Sequence, residues 1–288
     1  MPGKDLLKLK SPDQFRYIGK ALPIVDMHDM THGSAVYGAD IRLPGMKFAA
    51  IARPPVVFGK VKTYDSAKAL AVAGVEQIVE LPAAEAPSMF KAQGGVAVIA
   101  SNSWAALKAR DLLDIEWDDG SNADYDSVSY KQALLQTVRQ PGNVLRQQGD
   151  VNQALEAAEQ KLEAEYYAPH LAHASMEPPA AVASVTADFC EVWAPTQNPQ
   201  SLIPMVEAAT GLAKEQVKIN VTLLGGAFGR KSKCDFAEEA VVLSKMTGAP
   251  VLVQWSREDD IRHDYFHSVS AQQLAASIGP DGAVTGWR

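Results

Sequence analysis

The apolar positions of this chain change period repeatedly along its length. "MKFAAIARPP", "VEQIVEL" and "GGVAVIAS" are short apolar or alternating runs bounded by turn residues, and they predict three strands between Met46 and Ser101. "SWAALKARDLL" then carries apolar residues at helical spacing, and "DIEWDD" follows as a further strand. Together these elements predict an α+β module over 24–119, with helices packed on a sheet and with Trp104, Trp117 and Met89 as core residues.

Beyond Asp119 the pattern weakens. "GSNADYDSVSY" and "RQPGNVLRQQGDV" are polar, glycine-bearing stretches around a short helix at Tyr130 to Val138, so 120–149 reads as a connector. Residues 1–23 read as an N-terminal extension, and 150–288 as a second domain opened by a helix with Asp150 as its N-cap. There the strands "AAVASVT", "CEVWAPT", "VKINVTLL" and "PVLVQWS" alternate with the helices "NPQSLIPMVEAATGL" and "DFAEEAVVLSKMTG", which predicts a sheet buried under helices. The end, "AQQLAASIGPDGAVTGWR", predicts a hairpin turning at Gly279 to Gly282. Its return strand has barely begun at Arg288, and the expectation is that the chain is part of a longer subunit.

Composition narrows the function. The 288 residues, 47% of them hydrophobic, suffice for a sizeable core, and a net charge of −7 with scattered Lys and Arg argues against nucleic-acid binding. No apolar run is long enough to cross a bilayer, and "MPGKDLLKLKSPDQF" lacks the apolar stretch of a secretory signal, so the expected compartment on this chain alone is the cytoplasm. Cys190 and Cys234 form no CxxC pair, which makes an iron–sulfur cluster or structural zinc an unexpected product of this chain; both read as ordinary thiols.

The chemistry concentrates in "LLGGAFGRKSKCDF". Gly225, Gly226 and Gly229 follow a strand and precede a helix whose first turn offers Asp235 with Glu238 three residues on, a capping pattern. Glycines at such a place let backbone N–H groups approach an anion, although the plain alternative is a tight turn. Two nucleotide motifs fail here: a P-loop needs glycine where Arg230 stands, and the dinucleotide fingerprint needs G-x-G-x-x-G. Upstream, "VWAPTQNPQ" ends a strand and brings Thr196, Gln197 and Asn198 to a strand edge, so two strand ends suggest one polar site. "APHLAHASMEPP" holds His170, His173 and Glu177, but Pro169, Pro178 and Pro179 prevent a continuous helix that would bring them to one face, so no metal site is expected. "SREDDIRHDYFH" reads as a helix start capped by Ser256 with Asp259, or as a stretch that places Arg262, His263 or Tyr265 beside a substrate channel.

"WAPTQNPQ", "LLGGAFGRK" and "WSREDDIRHDYFH", in this order, resemble the molybdenum-binding large subunit of the xanthine dehydrogenase and aldehyde oxidase superfamily, with the isoquinoline 1-oxidoreductase β-subunit type as the nearest branch. "GKALPIVDMHDMTHGSAVYGADIRLPGMKFAAIAR" resembles the α/β hammerhead domain that precedes the molybdenum domains, so the likeness runs from Tyr17 to Arg288. It implies an α/β hammerhead domain over 24–119, followed over 150–288 by the first part of a molybdopterin-binding domain. It also implies molybdopterin in its cytosine dinucleotide form, oxidation of an aldehyde or N-heterocycle with oxygen drawn from water, and iron–sulfur (2Fe-2S) clusters confined to a small partner subunit. Gln197 and Phe228 match the family's residues beside molybdenum, and Gly226, Ala227, Gly229 and Arg230 match its cofactor loop; no residue is implied as a metal ligand. Lys231 and Ser232 stand where some relatives carry an acidic residue for purines, which argues against xanthine. The family's catalytic glutamate lies in the remaining half of the molybdenum domain, so the expectation for this chain alone is no turnover. Many relatives of this branch are exported, which would put the full-length protein in the periplasm. The alternatives are a non-catalytic fragment and a nucleotide-binding protein that uses the loop from Gly225 to Gly229.

Overall fold

The computed structural model describes residues 3–288 and divides into two units, 1–36 and 37–288. In the first, no described side chain is buried; its one α-helix, α1 (Met27–His32), stops at Gly33, whose φ of 77° ends it in the left-handed conformation.

The second unit is α+β. Its strands are β1 (Lys47–Ala52), β2 (Lys60–Asp65), β3 (Val75–Leu81), β4 (Gly95–Ala100), β5 (Asp114–Asp118), β6 (Gln160–Ala168), β7 (Ala180–Val185), β8 (Cys190–Ala194), β9 (Val217–Val221), β10 (Val251–Gln254), β11 (Ser270–Ile278) and β12 (Val284–Trp287). Its helices are α2 (Ala67–Leu70), α3 (Ser103–Arg110), α4 (Ser127–Val138), α5 (Val151–Ala157), α6 (Pro199–Thr210), α7 (Asp235–Thr247) and α8 (Arg257–Arg262). Seven strands form one sheet in the order β3-β4-β1-β10-β7-β8-β9, with β12-β11-β6 and β2-β5 as smaller sheets.

The large sheet crosses the polar connector. β1 pairs in parallel with β10, so strands from 47–100 and from 180–254 share one hydrogen-bonded layer rather than forming two separate sheets. The alternation along β1 shows how both faces are filled: Ala49 and Ile51 join the core under α7, while Ala50 packs with Ala105 and Ala106 of α3 on the opposite face. β4, buried at all its positions, lies between β3 and β1, which is why its sequence is a continuous apolar run. On the α7 side, Phe236, Ala240 and Leu243 pack with Ala181, Val192, Val253 and Trp255.

Several local expectations meet the structure directly. Asp150 caps α5 by accepting from Gln153 N at 3.0 Å, Ser256 and Asp259 form the capping box of α8, and Gly279 N donates to Ala283 O at 2.8 Å in the final hairpin. α4 begins three residues before the expected Tyr130, because Asp126 accepts from Val128 N and Ser129 N.

Other expectations are corrected. Asp235 and Glu238 do not cap α7: the N-cap is Cys234, Asp235 is held by Arg230, and Glu238 accepts from Ala92 N at 2.7 Å. Trp104 and Met89 are not core, being 68% and 70% exposed. α3 meets the sheet through its alanines, which allow close approach and leave the indole outside, while Met89 sits in a loop with a positive φ of 47°. β2 and β6 carry no clear apolar pattern, and they form because β5 and β11 pair with them along their length.

Candidate functional site

β8 and β9 are parallel, β10 runs antiparallel to the β7 strand that also opposes β8, and β1 is parallel to β10. The carboxyl ends of β1, β8, β9 and β10 therefore open at one sheet edge, where β7 begins. That edge collects Arg53, the segment Pro195 to Asn198, the glycine loop, Trp255 and Glu177. Ends of parallel strands are where backbone groups run out of ladder partners, and ligands gather there in α/β sheets.

The two expected strand-end segments meet. Gln197 Oε1 accepts from Gly229 N at 3.1 Å, Gln197 N donates to Lys231 O at 3.0 Å, and Thr196 Oγ1 donates to the same carbonyl at 3.0 Å. Thr196 Oγ1 also lies 3.2 Å from Cys234 Sγ and accepts from Asn198 N, fixing the turn that presents Gln197. Gln197 is exposed, and its Nε2 has no hydrogen-bond partner among the described residues.

The loop itself is gripped from below by Glu177. Its backbone N donates to Gly225 O at 2.9 Å, and its carboxylate accepts from Gly225 N and Gly38 N at 3.0 Å each, as well as from Lys231 Nζ. A Cβ on Gly225 would come within 2.6 Å of Glu177 Cβ, so only glycine permits this approach. Beyond this clamp Phe228 is strained and exposed, with a positive φ of 51° and 69% exposure, and the exposed Gly229 has a φ of 97°, while Ala227 before them is buried. The N–H groups of Gly226, Ala227 and Phe228 have no protein acceptor among the described residues.

Arg230 and Lys231 turn away from this surface. The Arg230 guanidinium, 1% exposed, is bidentate to Asp235 at 2.8 Å on both arms and lies over the rings of Trp255 and Tyr265. Its Nε stands 2.9 Å from Asp264 Oδ1 but out of line for a hydrogen bond, so that contact is one of charge alone. Burial opposes its charge, yet Asp235 and Asp264 outweigh burial and raise its pKa. Burial lowers that of Lys231, with Glu177 pulling the other way. Arg230 thus reaches a ligand only through its backbone, and its N already donates to Ala227 O.

The remaining candidates have partners of their own. His170 bonds His267 O and Tyr125 Oη, His173 bonds Asp264, and Glu177 holds the loop, so the three point to different tasks. Tyr265 Oη donates to Lys91 O at 2.7 Å, while burial raises its pKa. Burial, helped by Arg53, depresses His263 to about 4, and Arg262 faces solvent. Burial pushes the Cys190 thiol up to about 11 and raises Cys234 as well, so neither is an activated thiolate. Arg53 forms a bidentate pair with Glu239, which also accepts from Trp255 Nε1 at 2.8 Å.

Glu177, Lys231, Asp264 and Arg53 were missed as parts of one edge. Partners so far apart in the chain leave no periodic mark, and nothing next to Lys231 in the sequence shows that its ammonium is buried against Glu177.

The donor set suits an anionic cofactor: three uncommitted backbone N–H groups and an amide held by its oxygen with its NH₂ outward. Residues 136–288 match the family model of the molybdopterin cofactor-binding domain. Similar proteins include a membrane-bound aldehyde dehydrogenase [pyrroloquinoline-quinone] of Gluconacetobacter polyoxogenes, 29% identical over 97% of this chain and 36% of its own. The β-subunit of isoquinoline 1-oxidoreductase from Brevundimonas diminuta is 28% identical over 96% of this chain and 35% of its own. A nicotinate dehydrogenase chain of Pseudomonas putida is 29% identical, and this chain covers 23% of it. The fold matches quinoline 2-oxidoreductase from Pseudomonas putida 86 with a TM-score of 0.70, at 19% identity, over 93% of this chain and 38% of that one.

The chain belongs to the molybdopterin cofactor-binding domain family. Within it, the sequence expectation of a molybdenum-binding subunit of the xanthine dehydrogenase and aldehyde oxidase type is met. It spans between 23% and 36% of the length of these curated relatives.

Proposed function

We propose that this chain forms the glycine-loop side of a molybdopterin site, with the cofactor in its cytosine dinucleotide form, in a hydroxylase that oxidises an aldehyde or an N-heterocycle. The observation that carries this reading is the Gln197 Oε1 contact to Gly229 N beside the uncommitted N–H groups of Gly226 to Phe228. Accepting from Gly229 stops the Gln197 carboxamide from rotating, so its Nε2 is presented outward as a neutral donor that can stabilise charge without becoming a ligand. Phe228, with its positive φ, stands exposed next to Gly229, the residue that Gln197 holds. Gly226, Ala227 and Phe228 offer backbone donors to the anion. The cofactor, when bound, supplies the two-electron oxidation in which water is the oxygen source. A catalytic base, a small iron–sulfur subunit and the remaining half of the domain would come from outside these residues.

The test is to purify the chain, with its neighbouring gene products, from a host that makes the cofactor, and to measure molybdenum and released nucleotide. Stoichiometric molybdenum with CMP is expected, falling by about tenfold in Gln197→Ala while thermal stability stays within about 1 kcal/mol, since the lost bond is exposed. Release of a pyrroloquinoline quinone or a free nucleotide, with no molybdenum, would overturn the reading.

A further inference from the structure

One polar pair beside the loop has no part in the reading above. Asp264 Oδ2 accepts twice from His173, from the backbone N at 2.6 Å and from the ring Nδ1 at 2.8 Å. The Asp264 side chain is fully buried, and that of His173 is 8% exposed. A carboxylate on Nδ1 holds the proton there, so what the ring offers to a ligand is decided at Nε2. Nε2 has no protein hydrogen-bond partner among the described residues, and it stands 3.9 Å from the place a Cβ on Gly229 would occupy. His267 stacks on the ring with centroids 4.4 Å apart, which fixes its plane. The charged or titratable groups facing His173 are Asp264, Arg230 behind Asp264, and His267; the loop from Gly225 to Gly229 brings no charge of its own.

We propose that His173 is a ligand-contacting residue of this site, with Asp264 as its positioning residue. Nε2–H donates to an oxyanion or thiolate group seated against Gly229, the ring then carrying a proton on both nitrogens. Everything else offered there is a neutral donor: the backbone N–H groups of Gly226 to Phe228 and the amide of Gln197. His173 adds the one donor that can carry charge, and Asp264 balances that charge when it forms. The inference rests on reading the loop as an anion cradle.

Molybdate and inorganic phosphate serve as probes, added to the chain with ¹⁵N-labelled histidine and backbone. The expected result is that the Phe228 and Gly229 amides and the His173 Nε2 signal move along one binding curve, Nε2 shifting toward its protonated position. His173→Gln should weaken binding by about tenfold, the size of one charge-assisted hydrogen bond, and Asp264→Asn should weaken it in the same direction. A merely structural histidine would leave its ring signal unmoved. Amide shifts with a silent His173 ring, no shifts at all, or unchanged affinity in a folded His173→Gln protein would each overturn the proposal. The wild-type ring signal decides the matter even if a variant fails to fold. Molybdenum content of the protein from the cofactor-making host separates the two claims: His173-linked anion binding without molybdenum removes the cofactor reading alone, and molybdenum with a silent ring removes this inference alone.

Discussion

At the scale of single residues, the pair Lys231–Glu177 carries more than either side chain suggests. Lys231 is 0% exposed and its ammonium has Glu177 as its ion-pair partner, while the same carboxylate holds Gly225 and Gly38. Removing one member leaves a buried charge uncompensated, which costs about 3–5 kcal/mol, whereas replacing both with apolar or neutral groups recovers much of that. Urea unfolding should therefore show Lys231→Met as severely destabilised and the Glu177→Gln, Lys231→Met double variant as closer to wild type. Equal loss in single and double variants would show that the pair is not coupled. Gln197 and the loop could be read from their order in the sequence, because both follow strands. Glu177 could not, since its role depends on approaching Gly225 from another strand end.

Elements follow local rules until a distant group intervenes. Ser256 and Asp259 make the expected capping box, although Arg110 and Arg53 also draw on the Asp259 carboxylate. At the start of α7 the equivalent reading fails, because Arg230 takes Asp235. α8 ends at His263, whose half-buried ring has its pKa depressed to about 4 by desolvation, helped by Arg53. An unfolded histidine binds its proton near the ordinary value of 6.5, so between pH 6.5 and 4 the unfolded chain holds more protons than the folded one. The contribution is fully present above pH 6.5 and is lost as pH falls through that window. His263→Gln should accordingly lose less thermal midpoint than wild type between pH 7 and 4.5; parallel curves would show that the ring does not titrate this way.

On the scale of the whole molecule, the described unit 37–288 is joined across its connector. β1 lies against β10, and Arg53 past β1 is bidentate to Glu239 of α7. A protease nick at the exposed Gly142 or Gly149 should leave two fragments that separate in denaturant yet co-elute under native conditions, checked by size exclusion. Fragments that part in native buffer would show two independent folding units. The strands of the large sheet, the longer helices, the caps at Asp150 and Ser256 and the last hairpin were readable from the chain alone, since each depends on neighbours within a few residues, whereas β2, β6 and the start of α7 were not. The order of the three motifs was likewise enough to indicate the family. Folding was needed to show that the two halves share a sheet, that Arg230 and Lys231 point inward, and that Glu177 and His173 flank the loop. Those features arise from burial and charge pairing between residues far apart in the chain, and no local period records which carboxylate will meet which cation.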